Sequence, residues 1–558
     1  MQVPGREDDP WSRPIGLLVA MATLAACSAW AIPEVRWQMN PDGVSYLSVA
    51  QKYLAGDLAA AVNAYWSPLY SWLLVVPLAV GVEPLLATKL LAVVIGEGIL
   101  VATWWLAANL GVPRDARFLV CLTSSPILLY FGLVVATPDL LMTGTLLLYL
   151  AHLTSPAEQD GTSWRRRFAS GLLGGVAYLA KAYALGFVVV HLALVSLVDL
   201  VRAGDARRRV AVAVVAGYTG LLLVVAPWVA CLGAKYGYLT TGSVGRFSLA
   251  FNGPGFQLPM FSQGFLPPPD PLAVSAWDDA TVLRFEPWNP LATADDRAWY
   301  LDNLRRNAGH LVAIGGSFTI LLWPILLGSF AAAWLEGVPG RRRTAIVILA
   351  AALVFPLGYA LLHLFDRFLS LLCMLLLVLG AWVVASSVHL LGRGAVLRRV
   401  ATIVVCASFL CAPAVGRRTS GHGAASRSAS VWSAFGRWSF SSRARSQRQV
   451  AMLAARMRSV VPPGARVASG NFWEQSLLLS HHLGAHYWGV PPPDVSPERV
   501  RADLQANGIE YFWMWRMPKD FPVVAGWPRI PVPGFERFPL YRVPPSAPVS
   551  EPGGRATD

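Results

Sequence analysis

Residues 68–82 read Pro-Leu-Tyr-Ser-Trp-Leu-Leu-Val-Val-Pro-Leu-Ala-Val-Gly-Val, and whether they cross a membrane decides the topology of the chain. The run is apolar, but it opens on Pro68 and carries a second proline at Pro77. A spanning helix needs about 17–25 apolar residues. This run is shorter and is read as an interfacial helix on the outer face.

Around it, apolar runs recur at about 15–33, 84–109, 116–135, 139–153, 168–182, 184–201, 210–233, 309–335, 344–362, 368–391 and 400–416. They give about eleven expected spans. Composition agrees: of 558 residues, 55% are hydrophobic and 14% charged, and the mean hydropathy is +0.48. A soluble domain carries about 25% charged residues. The deficit excludes an ordinary cytosolic protein, a disordered chain and, despite the net charge of +14, a nucleic-acid binder. The expected class is an α-helical polytopic membrane protein with a small C-terminal α/β extramembrane domain. The six cysteines, Cys27, Cys121, Cys231, Cys373, Cys406 and Cys411, all lie in or beside apolar runs. That placement argues against a disulfide framework or a zinc site.

Arginines set the orientation. Clusters stand at Arg114/Arg117, Arg165–Arg167, Arg202/Arg207–Arg209, Arg341–Arg343 and Arg393/Arg398/Arg399. Cytoplasmic loops carry the Lys/Arg excess. With 68–82 on the surface, all five clusters fall on the cytoplasmic side; with 68–82 spanning, all five fall outside. The first choice puts residues 34–83, 136–139, 234–308, 363–367 and the C-terminal tail on the external face. Residues 417–466, with ten arginines and no acid, run against this orientation, although long domains translocate largely regardless of charge.

The external ends carry the unusual polar residues. The first loop reads Glu34-Val-Arg-Trp-Gln-Met-Asn-Pro-Asp42-Gly-Val-Ser-Tyr46-Leu and leads into an amphipathic helix expected at about 44–55. Asn63-Ala-Tyr65-Trp66-Ser-Pro-Leu-Tyr70 follows, an aromatic cluster suited to headgroup level. Asp42 reads either as an N-cap or as a general base at the membrane surface. Thr137-Pro138-Asp139 puts an acid at the start of a span, where a favourable helix dipole is the plainer explanation. Lys181 ends a span, where lysines snorkel. His363-Leu-Phe-Asp366-Arg367-Phe368 fills a tight turn, where a local Asp–Arg pair is the plainer explanation. Ionisable groups at membrane depth are costly and point to function, and here they converge on one face. Acids with Lys and Arg at the lipid boundary suit a lipid-linked phosphate, Arg367 as a fork and Lys181 as a point charge.

The ordered set resembles the GT-C glycosyltransferases, nearest to the bacterial protein O-mannosyltransferase and aminoarabinose transferase group. The set is an acid in the first loop, an amphipathic helix, Trp-Ser-Pro-Leu-Tyr, Thr-Pro-Asp, a span-ending lysine and Asp-Arg-Phe. The resemblance covers residues 1–416 in layout. It implies a transferase that moves a sugar from a polyprenyl-phosphate donor to an acceptor on the outer face of the bacterial cytoplasmic membrane, with inversion. Asp42 and Asp139 match the family's acids and are the expected catalytic residues. Lys181, Arg367, His363 and Arg246 are expected at the donor phosphate and lipid. Tyr46, Tyr65, Trp66, Tyr70 and Asn252 are expected in the substrate pocket. Relatives often pair two acids in the first loop, whereas Gly43 follows Asp42, and Asp366-Arg367-Phe368 replaces the usual Arg-Tyr. A divalent metal therefore stays open, as does the acceptor: glycan, lipid or protein.

Loop 234–308 is too long for a connector and is expected to cover the site and help choose the acceptor. Residues 417–445 form a Ser/Arg-rich linker suited to anionic headgroups. From 446 to 558, helix signals at 446–460, 472–483 and 496–507 alternate with strand signals at 466–469, 486–490 and 510–515, a small α/β domain. It has no phosphate-binding glycine motif. His481, His482 and His486 are a weak metal candidate, since adjacent histidines face different sides of a helix. The alternative function is a transporter or flippase for a lipid-linked substrate, although no internal repeat is visible.

Overall fold

The computed structural model describes residues 14–156, 161–392, 394–415, 439–516 and 522–545. Most of the expected 417–445 linker lies outside the described residues. The chain packs as two compact units, neither continuous in sequence. The first comprises residues 1–38, 50–256 and 286–444; the second comprises 39–49, 257–285 and 445–558.

The first unit is helical and is built for a membrane. Among the described residues, seven helices are long and apolar enough to span: Ile15–Val35, Pro84–Asn109, Arg114–Leu133, Tyr183–Arg202, Gly204–Tyr236, Pro339–Ala360 and Asp366–Leu390. Helices Pro68–Ala79 and Asp139–Leu153 are shorter. Pro68 sits at the first helical position, where its missing N–H costs nothing. Twelve residues rise about 18 Å, well short of a hydrocarbon core of about 30 Å.

The expected span at 309–335 is not one helix. Helices Ala294–Phe318 and Leu322–Leu335 meet at a bend of 91°. Pro324 explains the break, because its ring would clash with the carbonyl of residue 320 in a continuous helix. Thr319 is extended there; its Oγ1 accepts from the Leu321 amide and pairs with Ser408 Oγ at 2.6 Å.

Several charged groups buried in this unit are paired internally. Asp199 takes Arg167 Nη2 at 2.6 Å, Arg343 Nε at 2.7 Å and Arg343 Nη2 at 2.8 Å. Lys89, fully buried, donates to the Gln38 and Leu133 carbonyls at 2.5 and 2.7 Å. Helices Trp164–Ala180 and Arg207–Tyr236 approach so closely that a Cβ on Gly171 would sit on the Gly217 carbonyl. Small residues at such crossings replace the missing hydrophobic drive with van der Waals contact.

The second unit is built on a five-stranded sheet of order β2-β1-β3-β5-β4. The strands are β1 Arg466–Ser469, β2 His486–Tyr487, β3 Tyr511–Trp513, β4 Arg529–Ile530 and β5 Leu540–Arg542. β2, β1 and β3 are parallel; β5 and β4 run antiparallel at one edge. Helices Trp473–Leu483 and Pro497–Ala506 make the crossovers. Ala468, Leu504, Ile509, Phe512 and Met514 form the core of one face.

Two distant segments complete this unit. Residues 257–285 cover the β2 edge: the Tyr487 amide donates to Val274 O at 2.7 Å, and the Leu266 amide to Trp488 O at 2.8 Å. That pairing closes an edge that would otherwise template aggregation. Residues 39–49 are tied in by a two-way bond, with the Met39 amide to Gln447 Oε1 and Gln447 Nε2 to Met39 O, both at 2.8 Å. Ser45 and Ser48 donate to the Trp277 and Leu272 carbonyls.

Candidate active site

The polar residues expected at the external face divide between the two units. Asp139, Lys181, Arg367, His363, Arg246, Asn252, Tyr65, Trp66 and Tyr70 belong to the membrane unit; Asp42 and Tyr46 belong to the second.

In the membrane unit, Asp139 is the first residue of helix Asp139–Leu153, after Pro138 at the cap position. Its carboxylate is almost fully buried and is turned to three side chains. Thr137 Oγ1 donates to Oδ2 at 2.7 Å, Lys181 Nζ donates to Oδ1, and Arg367 Nε stands 4.0 Å from Oδ2. The carboxylate thus gathers two cations from distant elements, which the helix dipole alone would not explain.

Lys181 ends helix Trp164–Ala180 in an extended conformation. The break before Tyr183 leaves the Ala182 amide to donate to Ser67 Oγ at 2.9 Å. Ser67 follows a turn in which Asn63 Oδ1 accepts from the Tyr65 and Trp66 amides. The Trp-Ser-Pro motif therefore braces the lysine's backbone. Lys181 Nζ lies 3.9 Å from the Phe368 ring centre, a cation–π distance. Phe368 stacks on Tyr359, and Tyr359 stacks on Tyr183 at 3.6 Å.

Arg367 stands on the one-turn 3-10 helix Asp366–Leu369. Asp366 Oδ1 accepts from the Arg367 amide at 2.7 Å, and its Oδ2 from the Tyr130 hydroxyl at 3.4 Å. The exposures of the cluster differ in a useful way. The Lys181 and Arg367 side chains retain 18% and 23%, and Asp139 only 6%. The cations reach the accessible side, with the carboxylate behind them, an arrangement that attracts an anion.

The remaining residues fall around this cluster or apart from it. His363 is half-buried between the rings of Phe251 and Phe365, at 4.9 and 4.3 Å. Burial, then the neighbouring Arg367 and His310, push its imidazole down to about 4. That shift favours the neutral imidazole near pH 7. Arg246 is exposed on helix Val244–Phe251. Asn252 ends that helix, with its Nδ2 on Ser248 O at 2.6 Å; its carbonyl accepts from Trp299 and Asn303. Tyr65 packs edge-on against Trp66 and Phe247, and Tyr70 is buried.

In the second unit, helix Pro41–Leu54 begins before Asp42, so Asp42 lies in its first turn and not at the N-cap position, one of the two readings open to it. Pro41 accounts for the earlier start, being suited to the first helical position. Tyr46 is buried. His486 Nδ1 is bonded to Ala273 O at 2.9 Å. Among the described residues, no three His, Cys, Asp or Glu side chains gather in a way that could hold a metal ion.

Sequence reasoning named Thr137 only as part of the Thr-Pro-Asp motif and did not single out Tyr130, Tyr183 or Tyr359. Thr137 had a signal, standing two residues before a membrane-level acid. The tyrosines had none, since aromatic residues at span ends are ordinary.

No protein-family model and no curated protein sequence matches the chain. Solved structures do. ArnT from Cupriavidus metallidurans bound to undecaprenyl phosphate matches with a TM-score of 0.55 at 14% identity, over 96% of this chain and 99% of that one. The apo state of the same protein gives 0.53. The chain has the GT-C fold. The Archaeoglobus fulgidus oligosaccharyltransferase is a more distant match, with a TM-score of 0.45 at 11% identity, over 90% of this chain and 70% of that one. The GT-C chain is accordingly a multi-pass membrane protein.

Proposed function

We propose that this GT-C chain is a membrane glycosyltransferase that draws its sugar from a polyprenyl-phosphate carrier on the outer face of the cytoplasmic membrane. The observation that carries the reading is the Lys181–Asp139–Arg367 cluster, whose two cations are more exposed than its carboxylate. Lys181 and Arg367 hold the donor phosphate, and Asp139 holds both cations in place. The undecaprenyl phosphate bound to the structurally similar ArnT supports this choice of carrier.

In the proposed reaction, a base takes the proton of an acceptor hydroxyl; Asp42, the first-loop acid, is proposed for that role on the family resemblance alone. The acceptor oxygen attacks the anomeric carbon from the face opposite the phosphate, inverting that centre. The bond from carbon to phosphate oxygen breaks, and its electron pair leaves on the polyprenyl phosphate. Lys181 and Arg367 meet the charge that develops there, which is where preorganised cations lower a barrier most. Tyr65 and Trp66 are proposed to face the sugar, and the acceptor is a glycan, lipid or protein of the cell envelope.

The bent pair Ala294–Phe318 and Leu322–Leu335 favours a second reading, since broken helices are common in transporters. Native mass spectrometry of the full chain with added undecaprenyl phosphate tests the donor site. Retention by the wild type and loss in both Lys181→Ala and Arg367→Ala supports it; equal retention by all three sinks it. Release of sugar from a polyprenyl-phosphate sugar, rather than its movement across vesicles, separates transferase from transporter.

A further inference from the structure

Helix Leu322–Leu335 and helix Pro339–Ala360 are joined by three residues, 336–338, which makes them antiparallel neighbours. A groove of about 330 Å³ lies between them. Phe330 and Trp334 line it from one helix, and Arg342, Ile346, Ala350 and Leu353 from the other. The second set recurs at intervals of four, four and three, one face of a helix. From Arg342 to Leu353 that face runs about 16 Å at 1.5 Å per residue. Its volume is in the range of small-molecule sites, roughly 300–1,000 Å³.

The groove is apolar except at one end. Three consecutive arginines stand there and are directed to three different places. Arg343 turns inward to Asp199. Arg341 packs over the turn at Gly111, its Nε 3.1 Å from where a Cβ would be. Arg342 stays at the groove mouth, its guanidinium 5.7 Å from the Trp334 ring centre. It has no carboxylate partner among the described residues. Arg202 reaches the same end, donating to Pro339 O at 3.2 Å. Trp334 is 77% exposed, as expected of a tryptophan at a membrane interface. An apolar trough of this length, closed at its basic end by an Arg–Trp pair, matches a lipid with an anionic head and a hydrocarbon tail.

We propose that this groove is a binding site for one anionic glycerophospholipid, with an acyl chain along Ile346–Leu353 and the phosphate on Arg342. The site is separate from the Lys181–Arg367 cluster and does not depend on the proposed transfer reaction. A planar guanidinium holds a phosphate by paired hydrogen bonds. A zwitterionic lipid presents the same phosphate beside a cation and gains less.

The test is native mass spectrometry of the full chain, delipidated in detergent and titrated with dioleoyl-phosphatidylglycerol or dioleoyl-phosphatidylcholine. Phosphatidylglycerol is expected to bind several-fold tighter. Arg342→Gln is expected to bring its affinity down to that of phosphatidylcholine, with the melting temperature of the lipid-free protein unchanged. Ala350→Leu, which narrows the trough without touching charge, is expected to weaken both lipids. Equal affinity of the two lipids in the wild type would overturn the proposal, as would an unchanged preference in Arg342→Gln. Displacement of phosphatidylglycerol by added undecaprenyl phosphate, lost in Arg342→Gln, would assign the groove to the polyprenyl carrier and also overturn it.

Discussion

Lys181 and Asp139 stand 42 residues apart in sequence and form a partly buried ion pair, one at the broken end of a helix and the other at the start of another. Neither residue caps its own helix with its side chain. Their charges are used on each other and on Arg367.

Removing the acid should therefore cost stability as well as activity. Asp139→Ala removes the buried carboxylate and leaves two partly exposed cations beside each other. Breaking a fully buried pair from one side costs about 3–5 kcal/mol, and the partial exposure of both cations makes the expected loss smaller. A lower thermal midpoint in detergent, together with loss of transfer, is the expected result. Asp139→Ala with Lys181→Ala should recover part of the stability and none of the transfer, because one of the stranded charges is gone.

Lys181 should not be replaceable by arginine. Its compact ammonium sits over the Phe368 ring and meets one oxygen of Asp139. A planar guanidinium has different reach and geometry. Lys181→Arg and Lys181→Ala should both lower the rate of donor cleavage by about 10²-fold, the scale on which a charge-stabilising donor acts. Initial rates on a polyprenyl-phosphate sugar are the readout. Full activity in Lys181→Arg would mean that charge alone matters there.

Much of this was legible beforehand. Acids and a lysine at the ends of apolar runs stand out because membranes penalise them, and that signal marked Asp139, Lys181 and Arg367. The strand at 466–469 coincides with β1. What escaped has physical reasons. Pro324 inside an apolar run was outweighed by the run's hydropathy, so the bend at 319–321 was missed. β4 lies between Pro528 and Pro531, a composition that argues against a strand except at an edge, where it in fact lies. The assignment of residues 39–49 and 257–285 to the second unit rests on contacts such as Met39 with Gln447, 408 residues away. No local pattern encodes such a contact.

The crossing of helices Trp164–Ala180 and Arg207–Tyr236 should tolerate no added side chain. Gly171→Ala puts a methyl on the Gly217 carbonyl. Overpacking of this kind costs about 1–3 kcal/mol, occasionally more. At Gly98, inside helix Pro84–Asn109, nothing lies within 4 Å of an added Cβ, so Gly98→Ala should stabilise by up to about 1 kcal/mol. Melting curves of the two variants against the wild type compare a forbidden methyl with a permitted one in the same protein.

His363 should make the fold sensitive to acid. Its folded-state value is pushed down to about 4, whereas an unfolded chain takes that proton near 6.5. The stabilising difference is complete above about pH 6.5 and is lost as pH falls toward 4, because the unfolded state binds the proton first. His363→Leu keeps an apolar side chain between Phe251 and Phe365. Its thermal midpoint should fall less steeply over that range than that of the wild type. Parallel slopes would show that other groups set the acid limit.

Asp42 gives the sharpest division between catalysis and carriage. It lies in the first turn of its helix, half-buried, on a segment held by Met39, Ser45 and Ser48 to the second unit. Asp42→Asn preserves size and removes only the basic oxygen, so the segment should stay folded and the protein should still retain undecaprenyl phosphate in native mass spectrometry. Transfer should fall to background, since without a base the acceptor hydroxyl keeps its proton. A carrier that only moves its lipid needs no base. Unchanged movement of a labelled polyprenyl-phosphate sugar across proteoliposomes in Asp42→Asn, with no sugar released by the wild type, would therefore favour the transporter.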